Sequence, residues 1–377
     1  MKTHTARLAV LAALLSLSAK AAPFMAVGDG AELFVTSSLG VQFDDNIYLD
    51  SNNESDDTIW SFTPGVDLVF GKGSATTGNV YYREEIRRYS DHDNQNTELS
   101  SLGFQSSTKA AGAKFDFNGS YAQIAQNDND IRLTGAIVRR KVGNLGVNAE
   151  FEMTAKTSLG IGASYLDTNY GPAGYTDSRV TAVPVDLYYK ATEKLDWSFG
   201  YRYRSTEQIG IARDFDDHFI SIGGRGEFSP KLTGQVRVGY NQRKLSAGSG
   251  VGASDDSDLG FDSNLTYAFS DKTTFQIHLT DDYGNSGTGD ATKFISWGVS
   301  AQSKLTEQWF VQASLNVNST EYSTRDDDFV DGLVALSYSY NQYLNFSASL
   351  AMRDNSSSAA AAEFKNTVFS LGANLRY

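Results

Sequence analysis

Histidine is the residue type in this chain best suited to general acid–base chemistry, and the chain has only four histidines. Three of them, His92, His218 and His278, follow the amino-terminal segment, and His218 stands directly after Asp216 and Asp217. A histidine beside carboxylates can act as a general base. The surrounding sequence supplies no aligned nucleophile, and the segments near these histidines are rich in aspartate. We interpret the histidines as non-catalytic, with a hydrolase kept as an alternative function.

Arginine is the second residue type of interest, because several arginines fall on three consecutive segments: Arg202, Arg204, Arg225 and Arg237. Each stands on the polar face of an alternating pattern, so the four side chains are expected to project to the same side. Positive side chains that line a pore repel cations and favour anions. Asp186 and Glu227 are expected nearby, so mutual neutralisation is the other interpretation. The sequence predicts pore-lining arginines and leaves both interpretations open.

Two acidic runs offer the oxygen ligands that a hard cation such as calcium prefers. They are Asp255-Asp256-Ser257-Asp258 and Asp326-Asp327-Asp328. Neither run has the spacing of an EF-hand loop, so we interpret both as solvated loop tips. The chain contains no cysteine, which excludes disulfides, thiolate catalysis and cysteine-ligated metals. We therefore predict neither a bound metal nor a cofactor.

The segments that must position these residues alternate between apolar and polar side chains. Trp197, Phe199 and Tyr201 occupy one set of positions, while Ser198 and Arg202 occupy the other. A strand sends successive side chains to opposite faces, so each such segment predicts a strand with one apolar and one polar face. About eighteen strands follow from this pattern: 32–43, 58–70, 78–89, 96–107, 112–124, 144–153, 158–168, 179–190, 195–206, 217–228, 232–244, 258–269, 273–283, 293–303, 308–321, 330–341, 343–353 and 367–377. Residues 125–142 are predicted as a loop, although Ile131 to Val138 could instead form a strand.

The number of strands decides which face meets water. A closed sheet of this many strands is too wide for side chains to fill, so the polar faces must line water and the apolar faces must meet membrane lipid. The 20 tyrosines, 22 phenylalanines and only 5 prolines agree with many strands and with aromatic belts. The sequence predicts an all-β fold, a transmembrane antiparallel up-and-down β-barrel with long external loops and short periplasmic turns.

The carboxyl-terminal strand has an apolar face that ends on an aromatic residue. Its apolar positions include Phe369, Leu371, Leu375 and Tyr377. The pattern resembles the terminal strand that the barrel-assembly machinery of bacterial outer membranes recognises before insertion. We predict these four residues as an assembly signal and that machinery as a partner.

The amino-terminal segment, residues 1–21, predicts a cleaved signal peptide. Lys2 and Arg7 form a positively charged n-region before an apolar run from Leu8 to Leu17, and Ala19-Lys20-Ala21 is a small-x-small cleavage site. Residues 22–377 are then expected to form one domain. No later segment is apolar over the length of a spanning helix, so only a closed barrel could cross a bilayer. The net charge of -13 argues against nucleic acid as a partner. A soluble periplasmic protein is the competing interpretation.

Three short segments resemble the putative beta-barrel porin family of type 2. They are G-V-Q-F-D-D-N-I-Y at 40–48, F-T-P-G-V-D-L at 62–68 and R-R-Y-S-D at 87–91. The resemblance spans nearly the whole mature chain, and its motifs are structural. It implies an outer-membrane channel of a Gram-negative bacterium that passes small hydrophilic solutes or serves as a conduit for exopolysaccharide export, since some members sit beside exopolysaccharide genes. A structural or adhesive surface barrel is an alternative, and the oligomeric state is open.

Overall fold

The computed structural model describes residues 22–28, 30–210, 213–247 and 252–377. The predicted signal peptide, residues 1–21, lies outside the described residues. The described residues form one antiparallel sheet of nineteen strands. The first ten strands are β1 (Met25–Val27), β2 (Ala31–Asp44), β3 (Asp57–Phe70), β4 (Thr76–Tyr89), β5 (Thr97–Ala110), β6 (Ala113–Ala125), β7 (Arg139–Glu152), β8 (Thr157–Tyr170), β9 (Asp177–Lys190) and β10 (Leu195–Ile209). The others are β11 (Phe215–Ser229), β12 (Leu232–Leu245), β13 (Ser254–Ser270), β14 (Thr273–Asn285), β15 (Ala291–Lys304), β16 (Trp309–Glu321), β17 (Asp326–Ser339), β18 (Leu344–Ser357) and β19 (Phe364–Arg376).

The sheet closes on itself because β19 pairs with β2, with Arg376 opposite Thr36. The eighteen long strands β2 to β19 thus form a closed up-and-down barrel. The short strand β1 pairs with the beginning of β2, just beyond the point where β19 ends. Val35 N donates to Tyr377 O at 2.7 Å and Tyr377 N donates to Val35 O at 2.9 Å. The edge of β2 is therefore covered along its length, first by β1 and then by β19.

All eighteen predicted strands are present, with ends that differ by a few residues. The predicted loop at 125–142 is shorter, because β7 already begins at Arg139. Residues 131–138 form only an isolated bridge between Leu133 and Ala136. The prediction that the acidic runs are loop tips was wrong, since they belong to β13 and β17. The acidic residues are tolerated there because the run in β13 is largely exposed and the buried Asp327 in β17 is paired with Arg325. The short strand β1 was not predicted, because three residues are too few for an alternation to be recognised.

The apolar faces of the strands point outward. Trp197 and Phe199 are 52% and 56% exposed, whereas Ser198 between them is 2% exposed. Large exposed hydrophobic side chains occur on every long strand and together form a continuous apolar belt around the barrel. Such a belt in water would be costly, and lipid covers it without that cost. Among the described residues, no helix is both long and apolar enough to span a membrane.

The two ends of the barrel differ in their connections. At one end the strands are joined by tight turns, such as those at 230–231 and 271–272, and both termini of the barrel lie there. At the other end lie longer connections, including 45–56 and 126–138. In outer-membrane barrels the tight turns face the periplasm and the longer loops face outside. We call the end with the longer connections the outer mouth, and residues 126–138 the mouth loop.

Candidate functional site: the inner wall and the outer mouth

The four arginines singled out in the sequence lie on the inner face of three adjacent strands, Arg202 and Arg204 on β10, Arg225 on β11 and Arg237 on β12. Their alternation with outward residues such as Tyr201 and Ile222 directs them into the barrel. The structure therefore brings them together on one side of the lumen. Their part in ion selection stays a prediction.

Each of these arginines is paired with a carboxylate. Arg202 Nη2 donates to Asp282 Oδ2 at 2.9 Å, and Arg237 Nη2 donates to Asp186 Oδ2 at 3.0 Å. Arg225 Nη1 donates to Glu150 Oε2 at 2.9 Å, and its Nε donates to Asp196 at 3.1 Å. Asp186 was expected as a neighbour. Glu227 was also expected there, but it accepts from Lys194 Nζ at 2.7 Å instead, because it lies near the tight turns.

A fifth arginine, Arg243 on β12, was not recognised in the sequence, although it lies on the same alternating face as Arg237. It is 2% exposed and donates through Nε to Asp217, which is fully buried, at 2.6 Å. A second bond runs from Arg243 Nη2 to Asp217 Oδ2 at 2.9 Å, so the pair is bidentate. Arg204 Nε donates to the same carboxylate at 2.7 Å. Five inner-wall arginines thus face five carboxylates, Glu150, Asp186, Asp196, Asp217 and Asp282, and the cluster is balanced in charge.

One of these carboxylates, Asp282, is carried by a hairpin that leaves the barrel wall. The ladder between β13 and β14 stops at Phe261 opposite Asp281, whereas β14 continues to pair with β15 up to Asn285 opposite Ala291. Asp282 accepts from Arg202 and Arg204 on β10. Four strand spacings separate β14 from β10 along the wall, which is about 19 Å. Because the ladder to β13 ends here and the tip of the hairpin contacts Thr176 between β8 and β9, residues 282–292, which we call the inner hairpin, lie inside the barrel, while Lys293 and Phe294 still pair with β16.

Arginine side chains hold the backbone of the inner hairpin against the inner wall. Arg204 Nη2 donates to Tyr283 O at 2.7 Å, and Arg243 Nη1 donates to Gly284 O at 2.7 Å and to Thr292 O at 3.2 Å. The Tyr283 side chain is 3% exposed, and the Arg243 guanidinium lies over its ring at 4.8 Å. The hairpin is therefore docked through both its backbone and its side chains.

The tip of the inner hairpin reaches the connection between β8 and β9. Thr176 N donates to Gly287 O at 2.9 Å, and Thr176 Oγ1 donates to Thr288 O at 3.1 Å. Gly287 N donates to Asp130 of the mouth loop at 3.2 Å. A Cβ atom on Gly287 would lie 2.8 Å from Ile131 Cγ1, so the packing at this point requires a glycine.

The mouth loop contacts connections on several sides of the outer mouth. Asn127 Nδ2 donates to Tyr48 O at 3.1 Å in the connection between β2 and β3. Arg132 donates to Leu49 O at 3.1 Å and to Ala361 O at 3.2 Å, and its guanidinium lies over the Phe364 ring at 5.1 Å. Burial lowers the pKa of Arg132, but an arginine stays charged at neutral pH. The outer mouth is thus crossed by the mouth loop and by the inner hairpin.

The three histidines that follow the signal segment lie in different environments. His92 Nδ1 contacts Asp57 Oδ2 at 2.8 Å at the outer mouth. His218 faces outward, where its Nδ1 lies 2.8 Å from the Tyr201 hydroxyl. His278 lies on the inner face of β14. The structure does not bring the three together, and the described residues contain no cluster of histidine and carboxylate side chains suited to a metal ion.

The four residues of the predicted assembly signal lie on the outer face of the barrel. Phe369, Leu371, Leu375 and Tyr377 are between 40% and 47% exposed. Phe43 of the neighbouring strand β2 stacks on Phe369 with ring centroids 6.2 Å apart. The seam between β19 and β2 is therefore part of the apolar belt, and recognition of these residues by an assembly machinery stays a prediction.

The chain is similar to a known protein family and to several solved structures. No curated protein shows significant sequence similarity to the chain. Solved structures of similar fold include Pseudomonas aeruginosa OpdK with vanillate, at 10% identity over 92% of this chain and 99% of that chain, with a TM-score of 0.47. Others are Pseudomonas aeruginosa OccK5 (OpdH), at 11% identity over 94% and 100% with a TM-score of 0.49, and Acinetobacter baumannii OccAB3, at 9% identity over 93% and 100% with a TM-score of 0.47. At these values the likeness carries no information about a substrate.

The family comparison covers the part of the barrel that carries most of the arginine cluster. The matched segment begins within β10 and includes the inner hairpin and the closing strand β19. Residues 205–377 match the family described as Putative beta-barrel porin 2, which confirms the family resemblance over this part of the chain, although the three segments noted in the sequence precede it; with the apolar belt, the match identifies the protein as an outer-membrane β-barrel.

Proposed function

We propose that the protein is a passive channel for small hydrophilic solutes across the outer membrane. The observation that carries the proposal is a closed barrel of eighteen long strands whose inner face is polar. With strands about 4.8 Å apart and tilted by about 40°, such a barrel has a backbone diameter of roughly 35 Å. Side chains and the inner hairpin subtract from this width, and the space that remains is expected to let water and small solutes pass.

The contacts across the outer mouth favour the passage of small solutes over the export of a polysaccharide. The inner hairpin and the mouth loop both cross the mouth and are bonded to connections on different sides of it. A polymer chain would have to displace these bonds for the whole time of its passage, whereas a small solute can pass beside them. Export of an exopolysaccharide is therefore the less favoured form of the channel proposal.

The balanced arginine cluster supports weak discrimination by charge. Five positive and five negative side chains share one side of the lumen, so the field that each group would impose on a passing ion is largely cancelled by its partner. We expect the channel to pass neutral and singly charged solutes at comparable rates.

Conductance and liposome swelling test the proposal. Purified protein in planar bilayers should give stepwise conductance in potassium chloride, and proteoliposomes should swell in solutions of monosaccharides. Protein unfolded by boiling before reconstitution is the control and should do neither. A folded barrel that gives no conductance and no swelling would contradict the channel and favour a structural or adhesive surface barrel.

A further inference from the structure

Two strand edges face each other across the gap that the inner hairpin leaves in the wall. Residues 257–260 of β13 pair with β12 on one side, and residues 282–285 of β14 pair with β15 on one side. The ladder between β13 and β14 ends just below them, at Phe261 opposite Asp281. Continuing that register places Gly260 opposite Asp282 and Ser257 opposite Asn285. The two edges are thus of matching length and orientation.

Arginine side chains bond to the backbone and to the carboxylate of the hairpin. Tyr283 O accepts from Arg204, and Gly284 O accepts from Arg243. Asp282 accepts from Arg202, Arg204 and Asn241, the last at 2.7 Å. Tyr283 O, which would face β13 in a continued ladder, is thus bonded to Arg204 in the docked hairpin, and the other charge-assisted bonds hold the hairpin on the inner wall. Replacing one set of hydrogen bonds by another costs far less free energy than leaving the same groups without partners.

We propose that the inner hairpin is a gate with two backbone pairings. In the docked position it lies on the inner face of β10 to β12 and narrows the outer mouth, as seen here. In the wall position residues 282–285 extend the ladder to residues 257–260, the hairpin leaves the lumen, and the mouth widens. A bistable element of this kind shifts between discrete arrangements rather than deforming continuously. The purpose of the gate rests on the proposed channel function, whereas the cross-linking experiment below does not depend on that function.

Disulfide trapping distinguishes the two positions, because the chain has no native cysteine. Asn285 Nδ2 lies 3.5 Å from Ser178 Oγ in the docked position, so the S178C/N285C variant reports on docking. The S257C/N285C variant reports on the wall position, in which these residues would be directly opposed and within disulfide reach. Ser300 and Ser314 are already opposed in the ladder between β15 and β16, so S300C/S314C is the positive control.

We expect oxidation to cross-link all three pairs, completely for S300C/S314C and partly for S257C/N285C. Adding D282N to S257C/N285C should raise its cross-linked fraction severalfold, because the carboxylate that binds Arg202 and Arg204 is lost. In planar bilayers, oxidised S178C/N285C should conduct less than oxidised S257C/N285C, and reduction with dithiothreitol should remove the difference.

Two results would overturn the gate. One is failure of S257C/N285C to cross-link, with and without D282N, while S300C/S314C does so. The other is equal conductance of the two cross-linked forms. A wild-type protein that does not conduct at all would contradict the channel instead, and the cross-linking yields would still decide whether the hairpin moves.

Discussion

The two sides of the barrel wall build their inner faces from different residues. On β15 and β16 the inner face is made mostly of neutral side chains such as Ser300 and Asn316, and the ladder between the two strands is continuous. On β10 to β14 it is made of arginines and carboxylates, and the ladder is interrupted where the inner hairpin turns inward. We call these the neutral side and the charged side. Neutral side chains leave the lumen wide, whereas the paired charged side chains fill part of it and hold the inner hairpin against the wall.

The largest effect is expected when the charged side loses its most buried carboxylate. Asp217→Asn would leave Arg243 without its carboxylate partner and Arg204 with Asp282 alone, and a buried unpaired charge costs about 3–5 kcal/mol. We expect a marked fall in the denaturant concentration at which the barrel loses its folded gel mobility. Ser300→Ala on the neutral side is the matched control and should change this midpoint little. Equal effects from the two variants would mean that the paired charges contribute no more to the stability of the barrel than the neutral side chains do.

Away from the charged side, the largest effect is expected at the closing seam between β19 and β2. Deletion of Tyr377 removes an outward aromatic side chain and two backbone bonds to Val35, so we expect severalfold less inserted barrel. Arg376→Ala alters only an inward side chain that lies over the Phe34 ring, and we expect nearly normal insertion. Membrane fractionation with heat-modifiable gel mobility measures both. If the two variants insert equally, Tyr377 belongs to an ordinary strand end and not to an assembly signal.

A bulkier side chain at the tip of the inner hairpin tests whether the charged side narrows the mouth. Gly287→Val would press against Ile131, and such overpacking costs typically about 1–3 kcal/mol. We expect the tip to lift from the mouth loop and the single-channel conductance to increase. Gly143→Val is the control, because a Cβ there meets nothing within 4 Å. Unchanged conductance of Gly287→Val would mean that the tip does not limit passage.

The smallest effect is expected on ion preference. Replacing Arg202, Arg225 and Arg237 by glutamine leaves their carboxylate partners uncompensated, so the reversal potential in a salt gradient should shift toward cation preference. The matched control replaces three outward arginines, Arg88, Arg139 and Arg179, by glutamine. If only the control shifts the potential, or neither variant does, the arginines on the charged side do not set selectivity.

The strands could be predicted from the sequence because alternation is local. Trp197 and Ser198 differ in the same way whether or not the partner strand is known, and the number of such segments implies a closed sheet. The same alternation could have predicted Arg243 as an inner-face residue, since it shares that face with Arg237.

The inner hairpin and the contacts of the mouth loop could not be predicted in this way. The alternation of β14 continues through Asp282 and Asn285 although their partners change from the neighbouring strand β13 to residues of β9 and β10. Pairing between Asp282 and Arg202, or between Arg132 and Ala361, joins residues far apart in the chain. The residue types at these positions carry no information about such partners. The positions of the inner hairpin and the mouth loop therefore follow only from the folded structure.

The seam between β19 and β2 has a consequence for the kinetics of folding. Ser38 Oγ donates to Asn374 Oδ1 across a sequence separation of 336 residues. The entropy of closing so long a loop grows only with the logarithm of its length, by about 0.6 kcal/mol per doubling, so the search for the partner edge is slow rather than forbidden. Until these two edges pair, the apolar strands β2 and β19 are exposed to other chains. Aggregation during refolding should therefore begin at these two strands, and short peptides that mimic either one should slow barrel closure.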